Sequence, residues 1–162
     1  MMRFRLTKQL FMALAFVLSG FALKAQQPSY SQLVSIISAR LPAADVSGKI
    51  ISFTAWSAGD VQGRDMNREF DRVATIYQGA KLRNGNRGTI LISCNLDSPT
   101  SSTIAFHRDG ISFAIQVNKS DFNFLAGCSS NSNVVYDATG TKIYENLSKG
   151  DVFMSYNQLI TR

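Results

Sequence analysis

Histidine, cysteine, tryptophan and proline are scarce in this chain, and each shortage excludes something. One histidine, His107, and two cysteines, Cys94 and Cys128, stand among 162 residues. Zinc sites built from His and Cys draw on three or four ligands, so no metal is expected. The two cysteines are too far apart in sequence for a Cys-x-x-Cys redox pair or a metal knuckle, and they remain only as possible thiols. Of the three prolines, the last is Pro99, so residues 100–162 have none. No nucleophile–base pair or cofactor motif emerges. The run Asn84-Gly85-Asn86-Arg87-Gly88 precedes a strand, the wrong context for a phosphate-binding loop.

The apparent excess of positive charge also has a local origin. The formal net charge is +6, yet Arg3, Arg5, Lys8 and Lys24 lie in a stretch without acids. That stretch continues through the apolar run Leu10 to Leu18 to the small-residue end Ala22-Leu23-Lys24-Ala25, the order of a secretory leader. The run is too short to cross a bilayer, which takes roughly 20 apolar residues. Cleavage is expected after Ala25. Phe21 follows Leu18-Ser19-Gly20, so no cysteine offers a lipid anchor. Removing the four leader cations from 17 leaves 13 basic residues against 11 acidic ones, a net +2. That balance gives no case for nucleic acid. The expectation is a leader over 1–25 and one domain over 26–162, exported to the periplasm or the medium and not an integral membrane protein after cleavage.

The rest alternates helix and strand. Gln32 to Leu41 carries Leu33, Val34, Ile36, Ile37 and Leu41 at helical intervals, with Ser29 or Ser31 to cap it and Pro42 to end it. Lys49 to Trp56 is an apolar strand suited to the middle of a sheet. Asp60 to Tyr77 is the clearest helix, with Met66, Phe70, Val73, Ala74 and Tyr77 on one side. Arg64, Arg68 and Arg72, with Asp65, Glu69 and Asp71, suggest a salt-bridged outer face. Thr89 to Leu96 is a second strand. Ser98 caps a helix that opens at Pro99 and stops near Gly110, with His107 and Arg108 as cations at its end. Ile111 to Val117 alternates like an accessory strand. Asn133 to Tyr136 and Lys142 to Tyr144, joined through Asp137-Ala138-Thr139-Gly140, form a hairpin. A final helix or tail holds Val152, Phe153, Tyr156, Leu159 and Ile160. This order predicts an α/β fold, a mixed sheet with helices on both faces.

At this point the residues resemble a known family. Gly48 to Phe53, followed by Trp56-Ser57-Ala58-Gly59-Asp60-Val61-Gln62-Gly63-Arg64, is similar to the core of secreted thiol–disulfide oxidoreductases of the thioredoxin superfamily. There a strand runs into Trp-Ala-x-x-Cys-x-x-Cys-Arg and a helix. Ile92 to Asp97, Asp109 to Phe113 and Val135 to Gly140 resemble later landmarks of that family. The resemblance implies a thioredoxin-like three-layer α/β/α sandwich with a mixed central sheet. Aligned on Trp56 and Arg64, the cysteine positions are Asp60 and Gly63, so Asp60, Val61, Gln62 and Gly63 are a degenerate redox motif. The family's cis-proline before the hairpin is also missing, its place taken by Ser130-Asn131-Ser132-Asn133.

The readings that follow differ in class. One is a non-catalytic binding or structural module of the cell envelope, holding a protein or peptide in a groove beside Asp60, with Trp56 and Asn131 as groove candidates. In it Asp60 is a helix cap with no catalytic residue beside it, and no cofactor is implied. The alternative is a divergent thiol oxidoreductase or peroxidase using Cys128, with or without Cys94 as resolving thiol. In the family's sheet order the first strand separates Cys94 from the loop that carries Cys128, and Cys128 is expected near the groove. A third reading is an unrelated small α/β domain.

Overall fold

The structure, a computed structural model, describes residues 26–83, 86 and 88–160, with the side chain of Ser102 left aside. The expected leader lies outside the described residues, as does most of the turn-rich run Asn84 to Gly88. The elements are α1 (Tyr30–Arg40), β1 (Ile50–Trp56), α2 (Val61–Tyr77), β2 (Thr89–Asn95), α3 (Pro99–Asp109), β3 (Ile115–Asn118), β4 (Asn133–Tyr136), β5 (Lys142–Glu145) and α4 (Lys149–Leu159). Two short 3-10 turns, Lys119–Asp121 and Asn123–Gly127, join β3 to β4. None of the described helices is long and apolar enough to cross a membrane.

The strands form one sheet in the order β3-β2-β1-β4-β5. β1 pairs parallel with β2 and antiparallel with β4, so the sheet is mixed as expected. β1 is buried along its whole length, which accounts for its apolar composition on both faces. Alternation then divides the core. Ile51, Phe53 and Ala55 pack with Ile92, Cys94, Val134 and α1 residues Leu33, Ile36 and Ile37. Ile50, Leu91 and Val135 face α2 and α4 through Met66, Phe70, Val73, Val152 and Tyr156. Helices on both faces, around a mixed sheet, make the three-layer sandwich.

Local signals placed most boundaries well. Ser29 caps α1 through a capping box with Gln32. Ser98 caps α3, Pro99 opens it, and Gly110 ends it in the left-handed region at φ 67. The accessory strand begins later than its alternation suggests, at Ile115 rather than Ile111. Asp71 is the cause: its carboxylate accepts the backbone N–H groups of Ser112, Phe113 and Ala114 at 3.1, 2.9 and 2.9 Å, holding that segment against α2.

The charged face of α2 needs correcting in the same way. Asp71 is only 5% exposed and belongs to the interior. Arg64 leaves the row to form a two-pronged ion pair with Asp109 at the end of α3, whose side chain is 3% exposed. Only Arg68–Asp65 and Arg72–Glu69 are the helical surface pairs that the spacing suggests. Asp71→Ala leaves three backbone donors without their acceptor, and is expected to lower stability by on the order of 3 kcal/mol in urea titration. Asp71→Asn, which keeps one side-chain acceptor, is expected to cost less. The Arg64 guanidinium, opposed by burial, holds the Asp109 carboxyl below its ordinary value of 3.8. This contribution is therefore present above the ordinary range and is lost as pH falls through the depressed value. Asp109→Asn is expected to flatten the acid side of the stability profile, measured by denaturant midpoints across pH.

Candidate functional site

The site is built where β1 runs into α2. Leaving the sheet at Trp56, the chain turns through Ser57-Ala58-Gly59, and this turn is held by Asp97. One carboxylate of Asp97 accepts from the Ser57 hydroxyl at 2.9 Å and from the Ala58 backbone N–H at 2.5 Å. The turn delivers Asp60 to the N-cap of α2, where its side chain accepts the Gln62 backbone N–H at 3.0 Å. The expected capping role of Asp60 is therefore observed.

Asp60 has a second partner that sequence reading missed. The Ser130 hydroxyl donates to Asp60 Oδ2 at 2.5 Å, joining α2 to the loop before β4. This hydrogen bond, opposed by burial and aided by the Gly63 and Gln62 N–H groups, lowers the carboxyl pKa from its ordinary 3.8. Near neutral pH the group is a settled anion, neither an acid able to give a proton nor a base tuned to take one. Gly63 completes the arrangement. A Cβ added there would lie 2.5 Å from Ser130 Oγ and 3.0 Å from Asp60 Oδ2. The bare glycine is what lets the hydroxyl reach the carboxylate.

The same loop carries Asn131, which adopts the left-handed region at φ 65. Its backbone N–H donates to the Ala55 carbonyl at 2.8 Å, and Ala55 donates in turn to Ser132 O at 2.8 Å, so the loop extends the β1–β4 ladder. Among the described peptide bonds none is cis. The next organiser is Asn133, fully buried. Its side chain accepts from Leu147 N at 2.8 Å and donates to Leu147 O at 3.1 Å and Asn131 O at 3.4 Å. One carboxamide thereby sets the loop before β4 and the start of α4 relative to each other. Ser130 and Asn133 lie within two residues of Asn131, but serine and asparagine in a polar run carry no signal beyond turn composition.

Between these elements lies a depression of about 260 Å³, lined by Gln62, Asp65, Met66, Asn131, Ser148 and Lys149. Asn131 Oδ1 is buried there without a hydrogen-bond partner among the described residues. Met66 gives an apolar floor, and the Lys149–Asp65 pair at 3.4 Å forms one side. Gln62 and Val61 are exposed at the helix start, Val61 at 67%. Of the groove candidates, Asn131 lines the depression and Trp56 does not. The indole is 1% exposed, packed edge-on against Phe106 at 5.1 Å, with its N–H donated to Ser93 and Ser93 in turn donating to Asn67. Trp56 anchors the end of β1 beneath α3.

The cysteines are elsewhere. Cys94 is fully buried on β2, and Cys128, expected near the groove, is 6% exposed. Both join the core face covered by α1, and both thiols are free. Cys128 Sγ donates to the Gln26 carbonyl at 3.3 Å, so residues ahead of α1 cover it. Burial pushes the Cys94 thiol up to about 12, with a further push from Cys128, and burial pushes Cys128 up to about 11. His107 and Arg108 sit in the last turn of α3, as expected. Among the described residues no group of three or more His, Cys, Asp or Glu side chains is placed to hold a metal.

Gly63→Ala tests the closure at the helix start. The methyl group displaces the Ser130 hydroxyl, a loss of about 1 kcal/mol for the hydrogen bond. Alanine gains about as much in helix propensity over glycine. The expected result is a variant of nearly unchanged thermal stability in which the backbone amide resonances of Ser130 and Asn131 move.

No family model matches the chain, and no curated protein matches it. Solved structures do. The thioredoxin domain of a thiol-disulfide oxidoreductase from Bacteroides vulgatus superposes with a TM-score of 0.58 at 14% identity, covering 72% of this chain and 83% of that one. A thioredoxin-like protein from Parabacteroides distasonis gives 0.55 at 14% identity, covering 70% and 86%. A secreted disulfide oxidoreductase from Mycobacterium tuberculosis gives 0.55 at 14% identity, covering 70% and 84%. With the mixed five-stranded sheet between helices, these likenesses establish that the chain has the thioredoxin-like α/β fold.

Proposed function

We propose that this is an exported thioredoxin-like domain that binds an extended peptide or partner segment at the start of α2 and carries out no thiol–disulfide exchange there. One observation carries the reading. The Ser130 hydroxyl bonds Asp60 and occupies the space over Gly63, the two positions that the spacing of Trp56 and Arg64 aligns with the cysteines of the oxidoreductases the sequence resembles. Exchange needs a thiolate that attacks and a second thiol that resolves. A carboxylate gains the same stabilisation from the helix N-terminus but forms no mixed disulfide. Export is supported by the leader pattern of residues 1–25.

The depression suits a peptide backbone. Gln62 and Asn131 line it with carboxamides, which offer both donor and acceptor. The Met66 floor accepts an apolar side chain. A panel of unstructured peptides, titrated against the purified domain by fluorescence anisotropy, is expected to contain binders. Asn131→Gly keeps the backbone freedom needed at φ 65 and removes the carboxamide. It is expected to weaken binding about tenfold, equivalent to about 1.4 kcal/mol. A folded domain that binds no peptide, or a variant that binds equally well, would remove the reading's support.

The alternative, a thiol enzyme using Cys128 with Cys94, has one observation in its favour: the two cysteines share one core face, close enough for Cys128 to influence Cys94. Burial argues against it. A thiol raised to about 11 is ionised to only about one part in ten thousand near neutral pH. Folded protein is expected to resist alkylation and peroxide at both cysteines, while unfolded protein reacts at both, read by mass spectrometry. Prompt reaction of Cys128 in the folded state would favour the thiol enzyme.

A further inference from the structure

We propose that Gln26 is a modification site: as the first residue left after leader removal, it cyclises, and the mature chain begins with pyroglutamate. The inference rests on the cleavage after Ala25 in the export reading. What points to it is the way the start of the domain is bound. The Gln26 backbone N–H donates to Gly127 O at 3.2 Å, and its carbonyl accepts from Cys128 Sγ at 3.3 Å. Gln27 Nε2 donates to Asn133 O at 2.9 Å and Asn146 Oδ1 at 2.7 Å, and the Tyr136 hydroxyl donates to Pro28 O at 2.8 Å. Residues 26–28 thus form a strap over the loop that leads to β4, and a cut after Ala25 places the new chain end at the first bond of that strap.

A lactam can keep the bonding seen there. Among the described residues the Gln26 nitrogen has one acceptor, Gly127 O, and a lactam nitrogen has one proton to give it. Gln26 is exposed, so a cyclase can reach it. Its side chain lies over the bare backbone of Gly127, where an added Cβ would meet Gln26 Cβ at 3.1 Å and Oε1 at 3.2 Å. In the reaction the neutral α-amine attacks Gln26 Cδ. The new N–Cδ bond closes a five-membered ring, the Cδ–Nε2 bond breaks, and ammonia leaves with a proton from the amine. No oxidant or reductant is involved, and the terminal charge disappears.

The test is the intact mass and N-terminal sequence of the protein recovered from cells that produce the full precursor. The expected species is residues 26–162 lighter by one ammonia, blocked to stepwise sequencing and opened by pyroglutamyl peptidase. Precursor carrying Gln26→Ala is expected to give an unblocked end with no such loss. A wild-type chain that starts at Gln26 with an intact amide and a free amine would overturn the cyclisation while leaving the export reading standing. A chain that starts elsewhere would overturn both.

Discussion

The hydrogen bond from Ser130 to Asp60 is the interaction on which the rest of the site depends. It joins the two segments that any groove at this end of the sheet must use, the turn entering α2 and the loop entering β4. Each segment is fixed independently on its far side. Asp97 holds the Ser57–Ala58 turn, while Asn131 and Ser132 are tied to Ala55 on β1. Asn133 then carries the constraint on to Leu147 and the start of α4. A carboxylate, a hydroxyl and a missing Cβ at Gly63 have to be present together, since a side chain at Gly63 would occupy the position of the Ser130 oxygen. The walls of the depression follow from these ties.

That arrangement has a chemical consequence. A helix N-terminus stabilises whatever anion is placed on it. A thiolate there is reactive and reversible. The Asp60 carboxylate, lowered further by Ser130, is permanent within the ordinary pH range. The two thiols that the chain does have are in the core under α1, where burial disfavours ionisation. The fold therefore keeps a shaped surface at the start of α2 whose anion is a carboxylate, which forms no mixed disulfide. The buried chain from Trp56 through Ser93 to Asn67 serves the same rigidity, satisfying the indole N–H at the end of β1 without opening it to the groove.

Much of the fold was legible in the sequence because its signals are local. Pro99 and Gly110 mark the ends of α3, Ser29 with Gln32 marks the start of α1, and the apolar strand Ile50–Trp56 announces its central place. Asp60 was legible as a cap for the same reason. The contributions of Asp71, Ser130 and Asn133 depend on partners 41 to 43, 70 and 14 residues away, which no local pattern encodes. Asp71 did leave a trace, since it lies on the helical stripe of Asn67, Phe70 and Ala74, all buried, where a solvated charge has no place. Cys128 misled because Ser129 and Ser130 suggest an exposed loop, whereas the strap at Gln26 covers it. Trp56 misled because an aromatic at a strand end serves packing and groove alike until its neighbour, Phe106, is known.

The account is tested most directly by following the side-chain carboxyl carbon of Asp60 by NMR through an acid titration, in the wild type and in Ser130→Ala. If the hydroxyl locks the anion in place, the wild-type midpoint lies below the ordinary 3.8 and moves up in the variant. Identical midpoints in the two proteins would mean that Ser130 does not hold Asp60 in solution, and the closed site at the start of α2 would lose its foundation.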